Sequence, residues 1–220
     1  MSTLTPQQKR PRRLALPVVL AGSVASLILA LGLSPTISAF TAEIQNTLNT
    51  AGSGALIMQE SNSDGSITCL STDNTTVDSN SAQCTTINKY GGTLTMTPGR
   101  TVTTDINIAN IGTADASSFT LTPESCSQPD PATGSIHGSA TDLCSKMTLD
   151  ITSGATTIYS GTLADFNTPV DVLTALGATS VAQGSTVSFS FAVTLPTGLD
   201  NSYAGLEVSQ PLTWTFGAGS

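Results

Sequence analysis

One histidine, four cysteines and fifteen carboxylates are the groups in this chain able to do metal, redox or acid–base chemistry. The histidine, His137, lies in Thr133-Gly-Ser-Ile-His-Gly-Ser139, a stretch with no carboxylate of its own. A catalytic zinc needs several strong ligands and a base held in fixed geometry, and no HExxH run supplies them. Ser-His-Asp catalysis needs only one histidine, yet no GxSxG elbow marks a nucleophile among the many serines. Asp64, Asp73 and Asp78 offer loop oxygens without the spacing of an EF-hand, so they read as solvated loop charges. Ala51-Gly-Ser-Gly54 lacks the Lys-Ser/Thr that completes a phosphate loop. Leu195-Pro-Thr-Gly198 is one residue short of a sortase signal, and Asn74-Thr-Thr is a glycosylation pattern that arises readily in a Thr-rich loop. No catalytic residue, cofactor site or metal site is expected.

The cysteines are the strongest chemical signal. Cys69 and Cys84 bracket a loop rich in Ser, Thr, Asn and Asp; Cys126 and Cys144 bracket one rich in Pro, Gly and Ser. No CxxC pair is present, which favours structural staples over redox chemistry. Four cysteines allow three connectivities. Cys69 with Cys84 and Cys126 with Cys144 is favoured, because each pair closes a long loop between expected strands and adds about 3 kcal/mol in the chain-entropy model.

An oxidising destination is written into the N-terminus. Lys9, Arg10, Arg12 and Arg13 precede an apolar run over residues 14–33, which ends on Ser34-Pro-Thr-Ile-Ser-Ala39. Basic, apolar and small-residue parts in that order make a secretory signal. Cleavage is expected between Ala39 and Phe40, although the run is long enough, at roughly 20 residues, for an uncleaved anchor as the alternative. The basic residues keep its start in the cytoplasm. Once residues 1–39 are removed, all fifteen acids remain against Lys89, Arg100 and Lys146, a net charge of −12. A chain so poor in clustered Lys and Arg has no footprint for nucleic acid. Membrane contact is expected only through the signal segment, with a signal peptidase as a transient partner.

The elements that position these groups are strands. Val102, Thr104, Ile106 and Ile108 alternate with polar residues, as do Met147, Leu149 and Ile151, then Val187, Phe189, Phe191 and Val193, then Leu212, Trp214 and Phe216. Period-two alternation marks strands with one buried face. Turn residues separate the runs at sandwich-like spacing: Pro98-Gly99, Asn110-Ile-Gly112, Ser153-Gly154 and Gln183-Gly184. Residues 117–122, 157–159 and 206–209 read as further strands. A helix fits only within residues 163–176, where Pro169 limits it to two pieces. The expectation is an all-β antiparallel sandwich, jelly-roll or immunoglobulin-like, over residues 54–220. Residues 1–39 form the signal segment, and residues 40–53 an N-terminal strand and hinge.

The order of several segments resembles the TasA/camelysin family of proteins exported through a SipW-type signal peptidase. They are Ser38-Ala-Phe40, Asn49-Thr-Ala-Gly-Ser-Gly-Ala-Leu-Ile57, Pro98-Gly-Arg-Thr-Val-Thr103, Ile108-Ala-Asn-Ile-Gly-Thr-Ala-Asp115, Ile158-Tyr-Ser-Gly-Thr-Leu-Ala-Asp165 and Asp200-Asn-Ser-Tyr-Ala-Gly-Leu-Glu-Val-Ser209. The cysteine loops depart from TasA. The resemblance implies a secreted structural protein, located outside the cell or on its surface, whose copies join into biofilm-matrix or pilus-like fibres. In such fibres the N-terminal segment of one copy pairs with a sheet of the next. Here Phe40, Ala42, Ile44 and Leu48 would be the apolar positions of that donor strand, with residues 51–54 as its hinge. The same stretch reads equally as an ordinary first strand of its own sheet. A monomeric adhesion module acting through the cysteine loops is the alternative function. A camelysin-like metallopeptidase is the minor one.

Overall fold

The alternating runs become strands whose register places every large apolar side chain on one side. The computed structural model describes residues 50–74, 80–131 and 133–219. In chain order the strands are β1 (Met58–Asn62), β2 (Thr68–Leu70), β3 (Thr101–Asn110), β4 (Ser118–Pro123), β5 (Thr148–Ser153), β6 (Thr156–Thr162), β7 (Val170–Asp171), β8 (Thr186–Thr194) and β9 (Leu212–Gly217). Two short helices, α1 (Leu143–Lys146) and α2 (Val172–Leu176), interrupt them. The chain divides between Ala51 and Gly52, and the described core belongs to the unit Gly52–Ser220.

Six strands form one sheet in the order β2-β1-β3-β8-β5-β6, and three form another in the order β7-β4-β9. All pairings are antiparallel. The long β3–β8 ladder sets Ile106 opposite Phe189 and Val102 opposite Val193, so the two strands carry their apolar residues onto one face of the large sheet. Phe119 from β4 meets Phe189 from β8 edge-on at 6.0 Å, which locks the two sheets face to face. Ile106, Ile108, Leu121, Leu149, Ile151 and Phe191 complete the dry centre. The molecule is therefore an all-β sandwich of two antiparallel sheets.

Two local readings differ from the sequence expectation. Residues 206–209 are not a strand: Ser209 exchanges backbone hydrogen bonds with Ser127, and Ala204 O is taken by Gly138 N–H, so no single neighbour runs beside them. Gly205 adds a left-handed turn there, at φ 67°. The helical pattern over 163–176 shrinks to α2. Val170 and Asp171 are drawn into β7 by pairing with Leu121 and Thr120, and Leu163 and Phe166 reach the core from a turn. Asp171 begins α2 by accepting from Thr174 N–H at 3.0 Å, and Gly177 ends it at φ 64°. Strands β1 and β2 had no clear alternation to announce them.

The four cysteines form Cys69–Cys84 and Cys126–Cys144, with Cα separations of 5.8 and 6.0 Å. The second bond ties the chain just after β4 to α1. Beside it, Tyr203 donates its hydroxyl to Asp142 Oδ1 at 2.8 Å, and Lys146 lies 3.3 Å from Asp142 Oδ2. Disulfides of this kind persist in oxidising compartments. Among the described residues no helix is long and apolar enough to cross a membrane.

Replacing both Cys126 and Cys144 by serine is expected to lower the unfolding free energy by about 3 kcal/mol in urea titrations, with the other disulfide intact. Acid should act through carboxylates held below their usual range. The Tyr203 hydroxyl does this to Asp142, the Thr174 amide to Asp171 and the Ser202 hydroxyl to Asp200. A depressed carboxyl stabilises fully above its unfolded value and loses that contribution as pH falls through the folded one. The urea midpoint should accordingly hold from pH 7 to about 5 and fall below about pH 4, with a smaller fall in Asp142→Asn.

Candidate functional site

Strand β9 forms an edge of the second sheet: among the described residues it pairs with β4 alone. Glu124 N–H donates to Pro211 O at 2.9 Å, which sets the direction of the main chain along this ladder. With the register from Pro123 opposite Leu212 to Ser118 opposite Gly217, the odd-numbered residues turn their N–H and C=O groups toward β4. Those of Leu212, Trp214 and Phe216 turn away. Among the described residues no hydrogen bond reaches them.

The same three residues send their side chains inward, yet all three stay half-buried. Trp214 packs at 4.8 Å from Phe189 and 5.4 Å from Phe119, so one side of the indole is seated in the core. Its N–H is buried without a hydrogen-bond partner among the described residues. Beside β9 lies a groove of 1290 Å³, whose lining includes β9 itself, Met58 and Glu60 from β1, Val193 and Leu195, and most of residues 80–98. That exceeds the usual range of small-molecule pockets, about 300–1,000 Å³, and suits a length of chain.

Residues 80–98 lie over the inner face of the large sheet as a strap without strand structure. Side chains hold it. Cys84 is bonded to Cys69 of β2, and Ile87 is buried. Lys89 Nζ meets Glu60 Oε1 at 2.6 Å, with only 11% and 10% of the two side chains exposed. Tyr90 donates its hydroxyl to Gln210 Oε1 at 2.8 Å, and Gln210 Nε2 donates to Glu124 O at 2.8 Å and Phe166 O at 2.6 Å. Burial, with a smaller effect from Tyr159, pushes the Tyr90 phenol well above its ordinary range, so it stays a donor. Gly91, at φ 80°, approaches Val102 so closely that a Cβ would stand 2.4 Å from the Val102 methyl.

The residues singled out from the sequence are scattered by comparison. His137 is exposed, and its Nδ1 lies 2.9 Å from Gly138 O. Asp64 accepts from Ser66 N–H at 2.9 Å and Asp73 from Leu70 N–H at 2.7 Å, each closing its own turn. Among the described residues no three or more His, Cys, Asp or Glu side chains gather in a way that could hold a metal ion. Asp78, the Ala39–Phe40 cleavage position and the donor positions Phe40, Ala42, Ile44 and Leu48 lie outside the described residues. Sequence reasoning did not find the Glu60–Lys89 pair or the Tyr90–Gln210 bridge, since neither belongs to a motif. The available signal was Lys89 itself, one of only three basic residues after position 39.

Fold and groove together define a β-sandwich in which, among the described residues, the β9 edge is unpaired and faces a groove of mixed polarity. No protein-family model matches the chain, and no curated protein is similar to it.

Removing one member of a buried ion pair leaves the other charge uncompensated. Lys89→Met alone is expected to destabilise the domain by about 3 kcal/mol or more, while Lys89→Met with Glu60→Leu recovers most of the loss. Urea titration of the two variants side by side measures the difference.

Proposed function

We propose that the chain is a secreted structural protein that assembles into extracellular fibres, residues 40–50 of one copy adding as a strand beside β9 of the next. The observation that carries this reading is the edge of β9, unpaired among the described residues, over a groove into which Leu212, Trp214 and Phe216 are half-exposed. Proteins usually blunt such an edge with charge, proline or a bulge. Here β9 contains neither a charged residue nor a proline. The edge is left ready for another chain.

Residues 40–50 have the chemistry for that place. Phe40, Ala42 and Ile44 alternate with Thr41, Glu43 and Gln45. In an added strand the first set would face the trough and the second the solvent. Each main-chain hydrogen bond to β9 would contribute about 0.5–1.5 kcal/mol net, and burial of the three half-exposed side chains would add to it. The resemblance to the TasA/camelysin family, with its jelly-roll-like sandwich and cleaved signal, supports the same reading. Cleavage after Ala39 would free Phe40 at the tip of the donor, so export and assembly would be coupled. A monomeric adhesion module is the second reading, favoured by Ile136, 96% exposed on the loop braced by Cys126–Cys144.

Purified residues 40–220 are expected to grow into filaments with concentration-dependent light scattering. Residues 51–220 should remain monomeric with an unchanged melting temperature, because the described core is built from Gly52 onward. Filaments of normal appearance from residues 51–220 would sink the proposal. Scattering from residues 40–220 that stays flat with concentration would favour the adhesion module.

A further inference from the structure

We infer that residues 93–97 of the strap become a strand when the groove is filled, closing over the outer edge of the incoming segment. The small sheet would then run β7, β4, β9, the incoming residues 40–48 of a second copy, and residues 93–97. This rests on the assembly reading above and adds a conformational change in the acceptor.

Three observations point the same way. First, Thr93-Leu-Thr-Met-Thr97 is a strand-forming sequence, β-branched at alternate positions, that is not in a strand. Its main chain is unpaired: among the described residues no backbone–backbone hydrogen bond involves residues 93–96, and Thr95 N–H reaches only Thr93 Oγ1, at 3.4 Å. Second, Leu94 and Met96 are treated differently. Met96 is half-buried against the core, whereas Leu94 is 75% exposed. Residues two apart share a face in an extended strand, so the conformation that keeps Met96 inward carries Leu94 inward as well. Third, Thr93, Leu94, Met96 and Thr97 line the same groove as β9, so among the described residues the groove has unpaired main chain at β9 and at residues 93–96.

The physical need is clear from the edge rule. A segment paired with β9 alone would satisfy one edge and present the other to solvent, moving the exposed edge by one strand without removing it. Residues 93–97 can take up that second edge without disturbing the strap's anchors. Lys89 and Tyr90 lie upstream, and at the downstream end Gly99 N–H already donates to Leu195 O at 2.7 Å. Between these anchors the chain is free to extend.

Hydrogen exchange on residues 40–220, as monomer and as filament, tests this directly. Amides of residues 93–97 should exchange quickly in the monomer and at least about a hundredfold more slowly in the filament. Equal exchange in both states overturns the inference while leaving strand addition at β9 standing. Thr95→Pro removes an N–H and should raise the concentration needed for growth about tenfold or more, and Leu94→Ser, an exposed change, should raise it in the same direction. Both variants should melt with the parent as monomers. Growth of both at the parental concentration overturns the inference. Failure of the parent chain to assemble overturns the assembly reading and this one with it.

Discussion

A six-stranded sheet with an apolar inner face must be covered, and among the described residues the sheet that covers it has three strands. Where β4 and β9 lie over β8, the cover is complete, and Phe119, Phe189 and Phe191 are dry. Over β1 the described residues supply no fourth strand. The chain lays an irregular strap there, and coil cannot satisfy its own main chain as a sheet does. The groove, the half-exposed Trp214 and the open edge of β9 all follow from that shortage.

The strap is fixed by chemistry that does not need strand pairing. A disulfide, an ion pair and a tyrosine–glutamine bridge each act at one point, and each specifies a single position. Lys89 meets the buried carboxylate of Glu60 at one position of the strap, whereas a leucine there would pack at neighbouring registers as well. Two apolar side chains of equal volume would be at least as stable. Gln210 fastens the other side, joining the strap through Tyr90 to the main chain of Glu124 and Phe166. Pinning residues 84–90 in this way leaves residues 93–97 as the part with least to hold it.

Much of the large sheet was legible, because β3, β5 and β8 are buried on one face only and their alternation is regular. Strand β9 was legible too, but the alternation of Leu212, Trp214 and Phe216 says only that one face is apolar. It does not say whether a strand exists on both sides, since that depends on the number of strands in the sheet. Strands β1 and β2 escaped because Met58-Gln-Glu-Ser-Asn62 carries a glutamate on its inner face. Only Lys89, far along the chain, makes that burial tolerable. The expected strand at 206–209 failed for the converse reason: its apolar residues reach the core, but its main chain has no continuous neighbour. Side-chain patterns report which face is buried, and the groove is a property of unpaired main chain.

That distinction bears on how an uncharged open edge is tolerated in a chain with an excess of acids. Repulsion between copies grows with net charge but is screened beyond about 8–10 Å at physiological salt. It therefore slows random encounters between whole molecules more than it opposes a strand already seated in the groove. The acids are placed to suit: β9 and the residues after it have none, and residues 40–50 have only Glu43. Glu43 alternates with Phe40, Ala42 and Ile44, so an added strand would turn it to solvent. The same distribution disfavours direct pairing of two β9 edges, which would bring two sandwiches with all their acids side by side. Under the proposed assembly, residues 40–50 of one copy would enter the groove of another with a single carboxylate, Glu43.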